Sequence, residues 1–192
     1  MPPKFVFIRH GEAVHNVAFH TEGPSAFLDP KYADAPLTEK GILEARSAGV
    51  KLASLNFIDI WSSPLTRCIQ TSMEIFEEID AQHINLHDNL LERQDYREKC
   101  NSRKLKSDLL KEFAICKMGS LPDFPSVWIS PENNYAMHQR MYMMVILLAN
   151  MYEDEGESSH ILIVSHAQAI AEFTGHSLKN AEYVVLSLNE LI

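Results

Sequence analysis

Alternating strand-like and helix-like segments predict that this 192-residue chain is an α/β protein with a mostly parallel central sheet. Three observations carry that prediction. Short apolar runs of strand length recur at residues 4–8, 57–61, 160–164 and 182–188, with a weaker one at 83–87. Segments with apolar residues at helical spacing separate them. Ionisable side chains gather just beyond the ends of these runs, where open α/β sheets bind ligands.

The elements follow in order. The first run, 4–8, leads straight into Arg9, His10, Gly11 and Glu12. Thr38 then reads as a helix N-cap, and Ile42, Ala45, Gly49, Leu52 and Leu55 recur at helical spacing behind it. The second run ends at Ser62-Ser63-Pro64, where Pro64 opens a helix at a favoured first-turn position. That helix carries Leu65, Cys68, Ile69, Met73 and Phe76, with Arg67 in its first turn. The weaker run, 83–87, precedes Leu90-Leu91-Glu92. A third helix, 133 to about 153, bears Met137, Met141, Met144, Val145, Leu148, Met151 and Tyr152, a stripe that reads as core. The acidic stretch 153–159 is a solvated turn, and the run after it meets His166 at once.

Composition bounds the rest. The chain is one domain in length, and its 46% apolar and 22% charged residues are those of a globular protein. A formal charge of −9 argues against a nucleic-acid partner. The longest apolar run, 141–149, falls short of the roughly 20 residues that span a bilayer, so no membrane partner is expected. No charged leader with a long apolar stretch is visible at the N-terminus. Cys68, Cys100 and Cys116 are too few and too irregular for a disulfide framework or a zinc site, and read as reduced thiols of a cytoplasmic protein. Oligomeric state is open.

Residues 93–117 stand apart. Eight Lys/Arg face four Asp/Glu there, a formal +4 that leaves −13 for the remainder. A short helical pattern, about 102–113, lies inside it. The segment is expected to be either a solvated insertion or a cationic lid over a site that receives anions.

Arg9, His10, Arg67, Glu92 and His166 would meet at one edge of such a sheet, and their chemistry is mutually consistent. Arginine presents planar, permanently charged donors that match phosphate oxygens. Two such neighbours bias an imidazole towards its neutral form, whose free lone pair is a nucleophile. A second histidine can donate to the transferring group, and a glutamate can protonate the departing oxygen. This is phosphoryl transfer through a phosphohistidine, with no metal or cofactor required.

The same residues resemble a known family. RHGE at 9–12, APLTEKG at 35–41, SSPLTRCIQT at 62–71 and VSHA at 164–167 are similar to the motifs of the histidine phosphatase superfamily, phosphoglycerate mutase-like branch. The resemblance implies a three-layer α/β/α sandwich. It makes His10 the phosphorylated residue, places Arg9, Arg67, His166 and Asn16 around the phosphate, and makes Glu92 the proton donor. Glu12 falls at a variable position, and His15 lacks the further ligands a zinc site needs. The segment 180–183 resembles a structural feature before the last strand.

The reaction is narrower than the family. The stretch from Glu92 to Phe113 lacks the mutase-type pattern and is similar to the E-x-x-D-x-x-C-[DN] segment of fungal and plant mutase-like proteins, with four residues rather than two between Asp95 and Cys100. A phosphomonoesterase acting on a phosphorylated small molecule or phosphopeptide is therefore expected. Phosphoglycerate mutase-type phosphotransfer and a non-catalytic phosphate-binding module are the alternatives. The basic segment points to a multiply anionic substrate.

Overall fold

Strand β1 (Lys4–Arg9) buries four consecutive residues, because the sheet is covered on both faces. Phe5 and Phe7 join one apolar cluster and Val6 and Ile8 the other, as alternation along a strand requires. The computed structural model describes residues 1–192 apart from 80, 82 and 127–129. After β1 come α1 (Val14–Glu22), α2 (Glu39–Leu52), β2 (Asn56–Ser62), α3 (Thr66–Phe76) and β3 (Ile84–Leu86). Then follow α4 (Lys106–Glu112), β4 (Cys116–Lys117), α5 (Asn134–Met151), β5 (Ser159–Ser165), α6 (Ala167–Thr174), β6 (Tyr183–Leu186) and α7 (Leu188–Leu191).

The described strands form one sheet in the order β4-β3-β2-β5-β1-β6. All neighbours are parallel except β6, which runs antiparallel to β1. Helices α2, α3 and α4 cover one face through Ala48, Leu52, Ile69, Ile75 and Leu109. Helices α5 and α6 cover the other through Met137, Met141, Met144, Ile170 and Phe173. The result is the expected three-layer α/β/α sandwich. Each fully buried aliphatic or aromatic side chain contributes roughly 1.5–3 kcal/mol, so both faces are needed.

Several boundaries differ from the sequence reading. Pro64 is not the first helical residue: Leu65 is the N-cap of α3, and Pro64 lies just before it. The last strand stops at Leu186, since Ser187 and Glu190 form a capping box that starts α7. Met151 departs from the stripe of α5 and is exposed. The helical pattern at 102–113 shrinks to α4, and β4 follows it as an edge strand of two residues. Among the described residues, no helix is long and apolar enough to cross a membrane. All three cysteines are buried and free.

Candidate active site

The parallel strands β1 and β5 end side by side, with Arg9 opposite Ser165 in register. His10 follows directly, and its N–H donates to the Ser165 carbonyl at 3.0 Å. The segment 180–181 clamps this corner from the other side. The Asn180 side-chain amide donates to the His10 carbonyl at 3.1 Å, and the Ala181 N–H to the Arg9 carbonyl at 3.0 Å. Two glycines let the next turn close. A Cβ on Gly11 would lie 2.3 Å from the Gly41 carbonyl oxygen, and one on Gly41 would lie 2.0 Å from that of Glu12. The start of α2 therefore packs backbone to backbone on the RHGE turn. Glu12 ties the two together by accepting from Thr38 Oγ1 and Lys40 Nζ, an orienting part.

The ring of His10 is fixed by its neighbours. Its Nδ1 lies 2.7 Å from the Gly11 carbonyl, which can only accept, so Nδ1 carries the proton. Arg67 Nε donates to His10 Nε2 at 3.2 Å, which marks Nε2 as the lone-pair nitrogen. Burial pushes this imidazole well below its ordinary value, and the charges of Arg67 and Arg9 push further in that direction. The ring is thus neutral with Nε2 available.

Arg67 is 1% exposed and is the hub of the site. Its Nη1 donates to the Cys100 carbonyl and its Nη2 to Asn101 Oδ1, each at 2.8 Å. Nη2 also lies 3.2 Å from His166 Nδ1, which must accept because guanidinium only donates. His166 Nε2–H then donates to Ser63 Oγ at 2.8 Å. Asp34 sets the helix that carries Arg67, accepting from the N–H and hydroxyl of Thr66 at 2.8 and 2.6 Å; burial pushes its carboxyl up to about 6.

A cavity of about 110 Å³ opens over these groups. The structure brings Arg9, His10, Asn16, Arg67 and Glu92 together on its walls. His166 is not among them. Its ring lies edge-on to His10, centroids 5.2 Å apart, with both nitrogens engaged, so it supports Arg67 rather than facing the cavity. Arg9 Nη1 donates to the Leu178 carbonyl at 3.1 Å, while its buried Nε has no partner. An orphaned guanidinium donor on a residue that lines the cavity suits an anion's oxygen. Asn16 Oδ1 accepts from the Ala13 N–H at 3.0 Å and so caps α1. Glu92 accepts from the N–H groups of Arg93, Gln168 and Ala169, the last two at the start of α6.

Four contributors escape the sequence reading. His15 lines the cavity on the inner face of α1. Glu98 and Asn101 line it from the 93–117 segment. Arg140, on α5, donates to the carbonyls of Asn89 and Glu92 and pairs with Glu132, which holds the loop that presents Glu92. Only the E-x-x-D-x-x-C-[DN] pattern pointed near any of these, at Asn101.

The cationic character expected of 93–117 is not what the cavity receives. None of the eight Lys/Arg of that segment lines it. Arg103 is buried against Asp88 and donates to the carbonyls of Pro122 and Phe124. Arg97 pairs with Asp95, Lys104 with Glu112 and Lys111 with Asp108. Four of the eight cations are thus held in ion pairs, and the other four, Arg93, Lys99, Lys106 and Lys117, lie outside the cavity wall.

The fold and this constellation define a class, α/β proteins that hold a neutral histidine among arginines at the strand ends. The profile of the Histidine phosphatase superfamily (branch 1) matches residues 5–183, and the chain belongs to that superfamily of phosphatases and mutases. It is similar to a 2,3-bisphosphoglycerate-dependent phosphoglycerate mutase 2 of Lactiplantibacillus plantarum, 39% identical over 79 residues that cover 40% of this chain and 31% of that protein. A second such mutase, from Gloeobacter violaceus, is 32% identical over 94 residues, 48% of this chain and 39% of that protein. The matched part is thus well under half of these relatives' own length.

Among solved structures, the ecdysone phosphate phosphatase of Bombix mori in complex with tungstate superposes with a TM-score of 0.69 at 15% identity, covering 96% of this chain and 92% of that one. A mycobacterial glucosyl-3-phosphoglycerate phosphatase does so with 0.67 at 18% identity and the same coverage. These likenesses establish the fold.

Proposed function

We propose that the protein is a phosphomonoesterase that works through a phosphohistidine at His10. One observation carries the reading: a neutral imidazole whose lone-pair nitrogen, Nε2, is held by Arg67 in a cavity also lined by Arg9, whose Nε has no partner. Arg9 and Arg67 take the phosphoryl oxygens. His10 Nε2 bonds to phosphorus as the ester P–O bond breaks, and the departing oxygen takes a proton from Glu92. Water then gives a proton to Glu92 while its oxygen attacks phosphorus, the P–N bond breaks, and inorganic phosphate leaves. His166 acts by positioning Arg67, and Asn16 by capping the helix that walls the cavity. Residues 93–117 serve as a cover whose Cys100 carbonyl and Asn101 amide keep Arg67 in line. Three free, buried thiols support the cytoplasmic setting expected from the sequence.

The test is p-nitrophenyl phosphate turnover with acid-labile phosphoprotein trapped by rapid quench. His10→Ala should lower turnover on the order of 10⁴-fold or more and abolish the trapped species. Undiminished turnover would sink the reading. The likeness to curated mutases favours one second reading, phosphotransfer between positions of phosphoglycerate. Isomerisation of 3-phosphoglycerate primed by 2,3-bisphosphoglycerate, without phosphate release, would select it.

A further inference from the structure

Two carboxyl groups line the same cavity as the two arginines. Glu92 reaches the cavity from the loop after β3, and Glu98 from the covering segment. Glu98 Oε2 accepts from Asn101 Nδ2 at 2.7 Å, so its partner is a neutral amide and not a cation. Burial and the nearby Asp95 carboxylate raise its proton affinity, and Arg93 only partly relieves this, so another anion beside it is opposed.

His15 supplies an independent sign that a polar ligand belongs here. Asn16 Oδ1 is occupied by the Ala13 N–H, so Asn16 Nδ2 is the group that faces His15 Nε2 at 3.2 Å. His15 Nε2 therefore accepts and Nδ1 carries the proton. That Nδ1–H is buried without a partner, on a side chain 5% exposed in the cavity wall. Burial, then Arg67 and Arg9, hold the ring down to about 2, so it offers a hydrogen bond without a charge.

Charge balance then separates substrates. The two guanidiniums that line the cavity are matched by a phosphoryl dianion, and with Glu92 holding the proton it donates, the Glu98 carboxylate is left over. A second anionic group on the substrate would find no free cation on these walls. A hydroxyl or ammonium group would find the Glu98 carboxylate. A cavity of about 110 Å³ is also well below the roughly 300 Å³ where ordinary ligand pockets begin, which suits a compact alcohol.

We infer that the pocket takes the monophosphate ester of a small alcohol bearing hydroxyl or ammonium groups near the ester oxygen, and disfavours esters with a second anionic group. This rests on the reading that the cavity takes a phosphoryl group, and it replaces the multiply anionic substrate expected from the basic segment. Glu98 is the residue that determines the preference.

Three matched esters test it: ethanolamine phosphate, glycerol 3-phosphate and 3-phosphoglycerate. In the unaltered protein, kcat/KM for glycerol 3-phosphate should exceed that for 3-phosphoglycerate by about tenfold or more, the factor that 1.4 kcal/mol of charge repulsion supplies. Glu98→Gln should shrink that ratio by about the same factor and lower ethanolamine phosphate relative to glycerol 3-phosphate. Glu98→Asp, which keeps the charge, should preserve the order. Equal or faster use of 3-phosphoglycerate by the unaltered protein would overturn the inference, as would a ratio unmoved by Glu98→Gln. If none of the three esters is hydrolysed, p-nitrophenyl phosphate turnover decides the hydrolase reading by itself. Calorimetric affinities of the same three esters for the unaltered protein then decide the inference, the same order keeping it and an equal or reversed order rejecting it.

Discussion

The floor of the cavity and its cover meet at Arg67 but are built by different means. The floor hangs from the ends of two buried parallel strands, and its ionisable rings are desolvated and neutral. The cover is mostly irregular chain around a short helix, and its cations either pair with nearby acids or stay off the cavity wall. What the contrast teaches is that charge in the sequence and charge at the site are separate quantities. The floor gains its positive character from two arginines set among rings that refuse protons. The cover, richer in cations, delivers a carbonyl, an amide and a carboxylate.

Breaking either side should give effects of different size and kind. The largest belongs to Arg103, the one cation of the cover that is wholly buried. Arg103→Ala strands Asp88 and frees the carbonyls of Pro122 and Phe124, and should cost about 3–5 kcal/mol in urea unfolding. A loss below about 1 kcal/mol would mean the cover is not held from beneath.

Arg67→Lys comes next, since an ammonium cannot serve His10, Cys100, Asn101 and His166 at once. kcat/KM for p-nitrophenyl phosphate should fall on the order of 10²–10³-fold. A variant with wild-type kinetics would show that floor and cover do not need this shared residue.

Acid should loosen the floor. His10, His15 and His166 all have folded proton affinities depressed by burial. Above pH about 6.5 neither state binds the proton; below it the unfolded chain does and the folded ring does not. Stability is therefore complete above that value and declines as pH drops, by about 1.4 kcal/mol per pH unit for each ring. Asp34, raised to about 6, works the other way and offsets about one of the three between there and its unfolded value near 4. Tm followed from pH 7 to 5 should decline ever more steeply; a level profile would contradict the neutral floor.

The smallest effect is expected at Lys104, a half-exposed partner of Glu112. Lys104→Ala should cost less than about 1 kcal/mol and leave KM for anionic esters where it was. A marked rise in KM, steepened by salt, would restore the cationic lid.

Much of this was legible in the sequence, for identifiable reasons. Strands β1, β2 and β5 show as apolar runs because both their faces are buried. His10 and Arg67 show because motif and strand end coincide. Helix α1 was missed because its pattern is inverted: Val14, Val17 and Phe19 are exposed while His15 and Ala18 are buried. The partners of Arg67 were hidden for another reason. Cys100 contributes a backbone carbonyl, which any residue could supply, across 33 positions of chain. His166 was expected on the phosphate, but sequence alone gives no ring orientation, and the ring turns towards Arg67 and Ser63.

The clamp of Asn180 on the His10 carbonyl spans 170 positions, because β6 runs back along β1. Asn180 is therefore made 170 residues after the carbonyl it holds. Until then His10 has its place at the end of β1 but lacks this stay. A chain cut between His166 and Asn180 would hold Arg9, His10, Arg67, Glu92 and His166 and still lack the clamp, so the corner is completed only after the ionisable groups around it have been made.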